Sequence, residues 1–220
     1  MPGTPPLGPA PLRRARLRAP APRIAPLLVG LVLAVVALAT AAGAARAQAA
    51  AACPAAAVPL GVALAAAVEA SVNCLVNDIR TSRGLAALAR SAELRRIAQR
   101  HGDDMVARRY FAHVSPSGGT VDKRARRAGY LDGPCWVLGE DLGWAPPSIA
   151  SAQAVVDAWI ESPTHRAVLL DPRFREIGIG LVAAAPVGTG AGATFVLELG
   201  VVQCGPGVRA AGVRGRIRMS

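Results

Sequence analysis

The chain has 220 residues, with 25 Lys and Arg against 14 Asp and Glu and a formal net charge of +11 at pH 7. Six arginines precede residue 48 and four follow Cys204, leaving 15 basic and 14 acidic residues in 48–208, so the charge excess belongs to the two ends. A body of balanced charge excludes a polybasic nucleic-acid binder, and its length suits one domain with a proper core rather than two.

At the N-terminus, Arg13, Arg14, Arg16, Arg18 and Arg23 form a positive segment, with no acidic residue before Glu69. An apolar run follows from Leu27 to Ala39, interrupted only by Gly30, and Ala45-Arg46-Ala47 then offers small residues before Gln48. This order predicts a secretory signal peptide over residues 1–47, cut near Ala47. The apolar run is about 13 residues, short of the roughly 20 that span a bilayer, so no membrane span is expected after cleavage. The residues around Arg13-Arg14 fit the twin-arginine pattern poorly and favour the general secretory route.

Residues 48–69 read as an Ala- and Pro-rich arm and the start of the first helix, ahead of a folded domain over 70–204. From Gly61 to Arg83 a helical stretch sets Val68, Val72, Leu75, Val76 and Ile79 on one face, with Gly84 as its stop. Ser91 is placed to cap a second helix, with Glu93 in its first turn and Leu94, Ile97, Ala98, His101 and Met105 as its buried stripe. On that stripe His101 reads as a hydrogen-bonded core residue. Thr120 to Ala128 predicts a short helix closed by Gly129, and its Lys123-Arg124-Ala125-Arg126-Arg127 run reads as a solvated basic face. Ser148 is read as the cap of a further helix running through Val155, Val156 and Trp159 to Ser162-Pro163. The period then changes to two. Ile177, Ile179, Leu181 and Ala183 alternate, and after a Pro/Gly-rich turn so do Phe195, Leu197, Leu199 and Val201, which predicts an antiparallel hairpin. Helices followed by strands make an α+β domain. The Gly/Arg-rich tail, 205–220, lacks an apolar pattern and is expected to be disordered.

Cys53, Cys74, Cys135 and Cys204 show no CxxC spacing, which in an exported chain argues for disulfides. Of three connectivities, the favoured one joins Cys53 to Cys74, tying the arm to the first helix, and Cys135 to Cys204.

Three stretches carry the chemistry: Tyr110-Phe111-Ala112-His113, Gly139-Glu140-Asp141 and Trp159-Ile160-Glu161-Ser162-Pro163-Thr164-His165-Arg166. Each places a His or a carboxylate beside Gly or Pro, at expected loop edges. His113, His165 and Glu140 are a donor set suited to Zn2+ or another divalent cation, with a position left for water or substrate. The same trio suits acid–base work. The plainer alternative has both histidines satisfying loop backbone groups while Glu140 caps an element end. Trp159 reads as core; Trp136 and Trp144 either wall the site or pack. HExxH, GxSxG and phosphate-binding Gly-Lys loops are absent, and Ser162 with His165 lacks an evident orienting acid for a serine hydrolase.

In this order the stretches resemble the bacterial branch of the CAP superfamily, the cysteine-rich secretory protein, antigen 5 and pathogenesis-related 1 group. Asn77 followed by Arg80, Asp103-Asp104-Met105 ahead of Phe111-Ala112-His113, and Gly178-Ile179-Gly180 add to the likeness, which covers residues of about 70–202. The resemblance implies an α-β-α sandwich around a small three-stranded antiparallel sheet. It also implies an open cleft lined by His113, Glu140 and His165 that holds a divalent metal in some relatives. The chain departs from the family in Asp141, where Asn is usual, and in Thr164, where Gly is common. Ser162 stands where other relatives carry an acidic residue.

The expected protein is secreted, outside the cell or in its envelope, and monomeric. Its cleft (His113, Glu140, Asp141, Ser162, His165) would take a small ligand, a lipid or a cell-wall component, and no nucleic acid. The second hypothesis is a metal-assisted hydrolase using His113, Glu140 and His165; the third makes the trio structural. No cofactor is required by the reading, though the trio suits Zn2+ or another divalent cation.

Overall fold

The computed structural model describes residues 53–60, 65–188 and 190–203 with the backbone of Ala211–Arg214, so the predicted leader lies outside the described residues. In chain order the elements are α1 (Ala65–Thr81), β1 (Ala89–Arg90), α2 (Ala92–Ala107), α3 (Val121–Arg127), β2 (Val137–Ala145), α4 (Ala152–Glu161), α5 (Pro163–Leu169), β3 (Glu176–Val182), β4 (Ala193–Val201) and β5 (Ala211–Arg214). Among these, no helix is long and apolar enough to cross a membrane.

The predicted helix signals hold with one exception. Gly84 takes φ +73° after α1, and the Leu85 N–H returns to the Arg80 carbonyl, closing the helix. Ser91 caps α2 by accepting from the Leu94 N–H at 3.3 Å, and Gly129, at φ +76°, follows α3. The exception is α4, whose cap is Ser151 rather than Ser148: Ser151 Oγ accepts from the Ala154 N–H at 3.1 Å. The Ile149 and Ala150 N–H groups both turn back to the Pro146 carbonyl, so Ser148 lies in a turn and the helix cannot start there.

The sheet has the order β1-β3-β4-β2-β5. The expected antiparallel core is its centre, β3-β4-β2, but parallel strands β1 and β5 extend it to five. β2 has no strand signal in the sequence. It is buried on both faces and carries Gly139 and Gly143, so neither alternation nor β propensity marks it. β5 corrects the expectation for part of the tail: residues 211–214 run beside 137–140 and occupy the outer edge of β2, whose backbone groups would otherwise lack partners.

Helices cover both faces, giving the α-β-α sandwich. On one face, α1, α4 and α5 bury Val72, Val156, Trp159 and Val168 against Ile177, Phe195, Leu197 and Leu199. On the other, Leu94 and Ile97 of α2 and Val121 and Ala125 of α3 pack on Leu138, while Ala98 and Met105 meet Leu142 and Val196. Trp159, fully buried with its indole N–H on the Leu142 carbonyl at 3.1 Å, is core as expected. Removing a side chain of that size typically costs about 3–5 kcal/mol.

The Asn77 and Arg80 pair is scaffolding. Asn77 donates to the Leu88 carbonyl at 3.0 Å and accepts from its N–H at 2.7 Å, fixing the approach to β1. Buried Arg80 donates to the carbonyls of Ala86, Leu169 and Asp171, tying α1 to the end of α5. Cys53 and Cys74 are bridged as expected, fastening the arm to α1. Cys135 is also disulfide-bonded; its expected partner, Cys204, lies outside the described residues.

Candidate functional site

The centre of the site is β2, not a loop. Consecutive strand residues point to opposite faces, so Glu140 faces α2 and α3 while Asp141 faces α4 and α5. Gly139 and Gly143, flanking Asp141, have no Cβ to displace: one at Gly139 would lie 2.6 Å from Phe174, and one at Gly143 would lie 2.7 Å from Val155. These close approaches seal Asp141 into the sandwich.

On the α2 side, His113 follows the exit loop of α2 and donates Nδ1–H to Glu140 Oε1 at 2.6 Å. Arg124 of α3 bonds the other oxygen, Oε2, and donates through Nη1 to the carbonyls of His113 and Gly119 at 3.0 Å each. Both Glu140 oxygens are therefore committed, one to the His113 ring and one to Arg124. On the α5 side, Ser162 joins α4 to α5, and its hydroxyl pairs with His165 Nδ1 at 3.2 Å. His165 Nε2 lies 4.0 Å from Asp141 Oδ1, too far for a hydrogen bond.

Five buried atoms of this group have no hydrogen-bond partner among the described residues: His113 Nε2, His165 Nε2, Arg124 Nε and both Asp141 oxygens. Buried polar atoms are normally satisfied, so this concentration marks the site. Burial, with a smaller contribution from His113, lowers His165 to about 4, which leaves its imidazole neutral near pH 7. Burial and the charge of Glu140 push the Asp141 carboxyl well above the usual range.

Every expected cleft residue is thus drawn to β2, but not into an open cleft. His113, Glu140, Asp141 and His165 expose 3% or less, and Ser162 is half-buried. β5 occupies the strand edge beside Glu140, in register with Arg214. Nor does a ready-made metal cage exist: among the described residues, no group of three or more His, Cys, Asp or Glu side chains is set to hold an ion. The Ser162–His165 contact spans one helical turn, and Asp141 makes no hydrogen bond to the ring, so the orienting acid of a serine hydrolase is missing.

His101 is core, as its stripe predicts, with Nε2–H on the Ala112 carbonyl at 3.1 Å and Glu140 at 3.8 Å. Trp136 is buried with the α3 cluster and lies under the Arg126 guanidinium, which assigns it to packing. Two members of the site carry no clear signal in the sequence. Arg124 belongs to a basic run that reads as solvated, although it is three residues from buried Val121. Glu198 of β4 alternates with Leu197 and Leu199 and so reads as outward; β4 is central, and Glu198 is fully buried opposite Glu140.

Comparison with known proteins identifies the family and agrees with the fold. Residues 75–197 match the family described as CAP, the cysteine-rich secretory protein family. Two Bacillus subtilis proteins are each 30% identical: the uncharacterized membrane protein YlbC over 113 residues, 51% of this chain, and the uncharacterized protein YkwD over 121 residues, 55% of this chain. The matched regions span only 31% and 45% of those two relatives. Among solved structures, an outer surface protein of Borrelia burgdorferi aligns with a TM-score of 0.51 at 19% identity, over 60% of this chain and 90% of that one. That likeness bears on the fold alone.

Proposed function

The chain belongs to the cysteine-rich secretory protein family, and on that premise we propose that it is an exported binding module whose centre is a divalent-cation site at His113 and His165. The observation that carries the reading is the set of buried, unpartnered acceptors around β2. His113 Nε2 carries a free lone pair because Nδ1–H is held by Glu140, the carboxylate–histidine arrangement that orients metal-ligating imidazoles. Ser162 can hold His165 in the same way. Tetrahedral donors roughly 2 Å from an ion lie about 3.3 Å apart, so the 4.0 Å between His165 Nε2 and Asp141 Oδ1 would have to close by several tenths of an ångström around a cation. The donor chemistry suits a borderline cation such as Zn2+, and an ion would have to draw His113, His165 and Asp141 together as donors, with Glu140 in support. When bound, the ion would act as a Lewis acid with open positions for an oxygen ligand from a small molecule, a lipid headgroup or a wall component.

Export is supported by the predicted leader and by the Cys53–Cys74 bridge, a bond that persists in oxidising compartments. No observation favours the hydrolase reading over binding.

Zinc titration by calorimetry on the oxidised protein tests the site, beside His113→Ala, His165→Ala and Glu140→Gln. One-to-one binding should vanish in both histidine variants and weaken about 10- to 100-fold in Glu140→Gln. Absence of zinc binding in the parent, or retention in both histidine variants, refutes the cation reading.

A further inference from the structure

The basic run of α3 divides in the structure. Arg126 stacks on Trp136, Arg124 turns in to Glu140, and Arg127 lines a cavity of about 230 Å3 between α2, α3 and the 115–119 turn. The cavity is also lined by Arg100, Arg124, Ser115, Ser117 and Ile97. Arg100 and Arg127 are exposed and make no hydrogen bond or ion pair with the described residues. Arg124 is only 11% exposed, and its buried Nε has no partner.

Arg124 is charge-paired with Glu140, but Arg100 and Arg127 bring to the same cavity two guanidinium groups without ion pairs among the described residues. Asp104, the acidic lining residue, is already taken, accepting from the Tyr110 hydroxyl and pairing with Arg108. The Ser115 and Ser117 hydroxyls, 3.1 Å apart, add neutral donors, and Ser115 is fixed by the Gly119 N–H at 2.9 Å.

We propose that this cavity binds a phosphoryl group, through Arg100, Arg127 and Arg124 with the Ser115 and Ser117 hydroxyls. A phosphate offers several oxygens and more charge than a carboxylate, matching the two open forks of Arg100 and Arg127 and the remaining Nε–H of Arg124. Ile97 and Ala128 form an apolar wall suited to a short carbon chain on the phosphate. The group is carried either by a free phosphomonoester or by a phosphodiester of the envelope. Arg124 belongs to both readings through Glu140 and the His113 carbonyl, but Arg100 and Arg127, which the test changes, bond to neither His113 nor His165, so the two readings can fail separately.

The test is calorimetric titration of the oxidised protein with inorganic phosphate, glycerol 3-phosphate, glycerophosphoglycerol and acetate. Expected are one-to-one binding of a phosphoryl probe, at least about tenfold tighter than acetate, and a loss of about tenfold or more in the Arg100→Gln/Arg127→Gln double variant. Arg83→Gln, an exposed arginine outside the cavity, should leave binding unchanged. Preference for the monoester assigns a free metabolite, and preference for the diester an envelope component. Phosphoryl probes binding no tighter than acetate, or equally well to a folded double variant, would overturn the proposal.

Discussion

Glu140 of β2 and Glu198 of β4 lie directly opposite one another, both without exposure, and the Arg124 guanidinium reaches both, bonding Glu140 and standing 3.6 Å from Glu198. Burial raises both carboxyls, but they separate. The His113 hydrogen bond and Arg124 outweigh burial at Glu140 and hold it low, whereas at Glu198 burial and the charge of Glu140 outweigh Arg124. Of the two, Glu198 is therefore the carboxyl that keeps its proton to higher pH.

That assignment separates two conservative substitutions. Glu140→Gln removes the charge that balances Arg124 and orients His113, and should cost about 3–5 kcal/mol. Glu198→Gln copies the protonated acid and should be tolerated. A raised folded pKa means that the native state keeps a proton the unfolded chain releases above about 4.3, so this contribution is present below that value and lost as pH rises. Urea unfolding at pH 5, 7 and 8.5 should show Glu198→Gln gaining on the parent as pH rises. A constant difference would mean that Glu198 is ionised.

At His101 the sign is opposite. Burial lowers it to about 4 despite the favourable charge of Glu140, so the native state refuses a proton that the unfolded chain takes up below about 6.5. Stability should fall as pH drops from 6.5 to 4, with His101 contributing on the order of 3 kcal/mol to the loss. His165, also lowered to about 4, acts in the same window. His101→Gln, which does not titrate, should flatten the acid limb of a urea-midpoint profile. An unchanged limb would place the loss elsewhere.

The helices are legible in the sequence because their caps and stripes are local signals: Ser91, Gly84, and Leu94 through Met105 act within a turn or two. The hairpin is legible because β3 and β4 alternate. β2 is hidden, because its glycines serve residues distant in the chain, Gly139 admitting Phe174 and Gly143 admitting Val155. The site residues are nameable from their motifs, but their division of labour is not. Whether Glu140 is a ligand or an orienter depends on where Arg124 lies, and that is set by the docking of α3 on the sheet. The depth of Glu198 likewise depends on strand order, which alternation does not encode.

Gly178 and Gly180 show the same principle on β3. A Cβ at Gly180 would lie 2.4 Å from the backbone of Ala98 and Gln99, and one at Gly178 2.1 Å from the Arg95 nitrogen. The α2 backbone thus rests directly on β3, and Gln99 seals the contact by donating to the Leu181 carbonyl and accepting from its N–H. Gly180→Ala must push the helix off the strand, and with it His101 and the exit loop bearing His113. A loss of about 3 kcal/mol is expected, at the upper end for overpacking. A thermal midpoint within about 2 °C of the parent, roughly under 1 kcal/mol for a domain of this size, would contradict that packing.

Asp141 gives the sharpest test because its effects on stability and cation binding should have opposite signs. Neither oxygen has a hydrogen-bond partner, and burial together with Glu140 raises its pKa. In EDTA the native state must then hold a proton that the unfolded chain loses above about 3.9, so stability declines as pH rises from there. Asp141→Asn has nearly the same shape and cannot ionise. It should raise metal-free stability at pH 7.5 by about 1 kcal/mol or more, because it escapes the cost of holding the proton or burying the charge, with the gain shrinking toward pH 4. If Asp141 is a cation donor beside His165, the same variant should weaken zinc binding by at least about tenfold, because an anionic ligand becomes a neutral amide. Greater metal-free stability with unchanged zinc affinity would restrict the donors to the two histidines. Lower metal-free stability would mean that the carboxylate has a partner and that the buried-acid account of β2 is wrong.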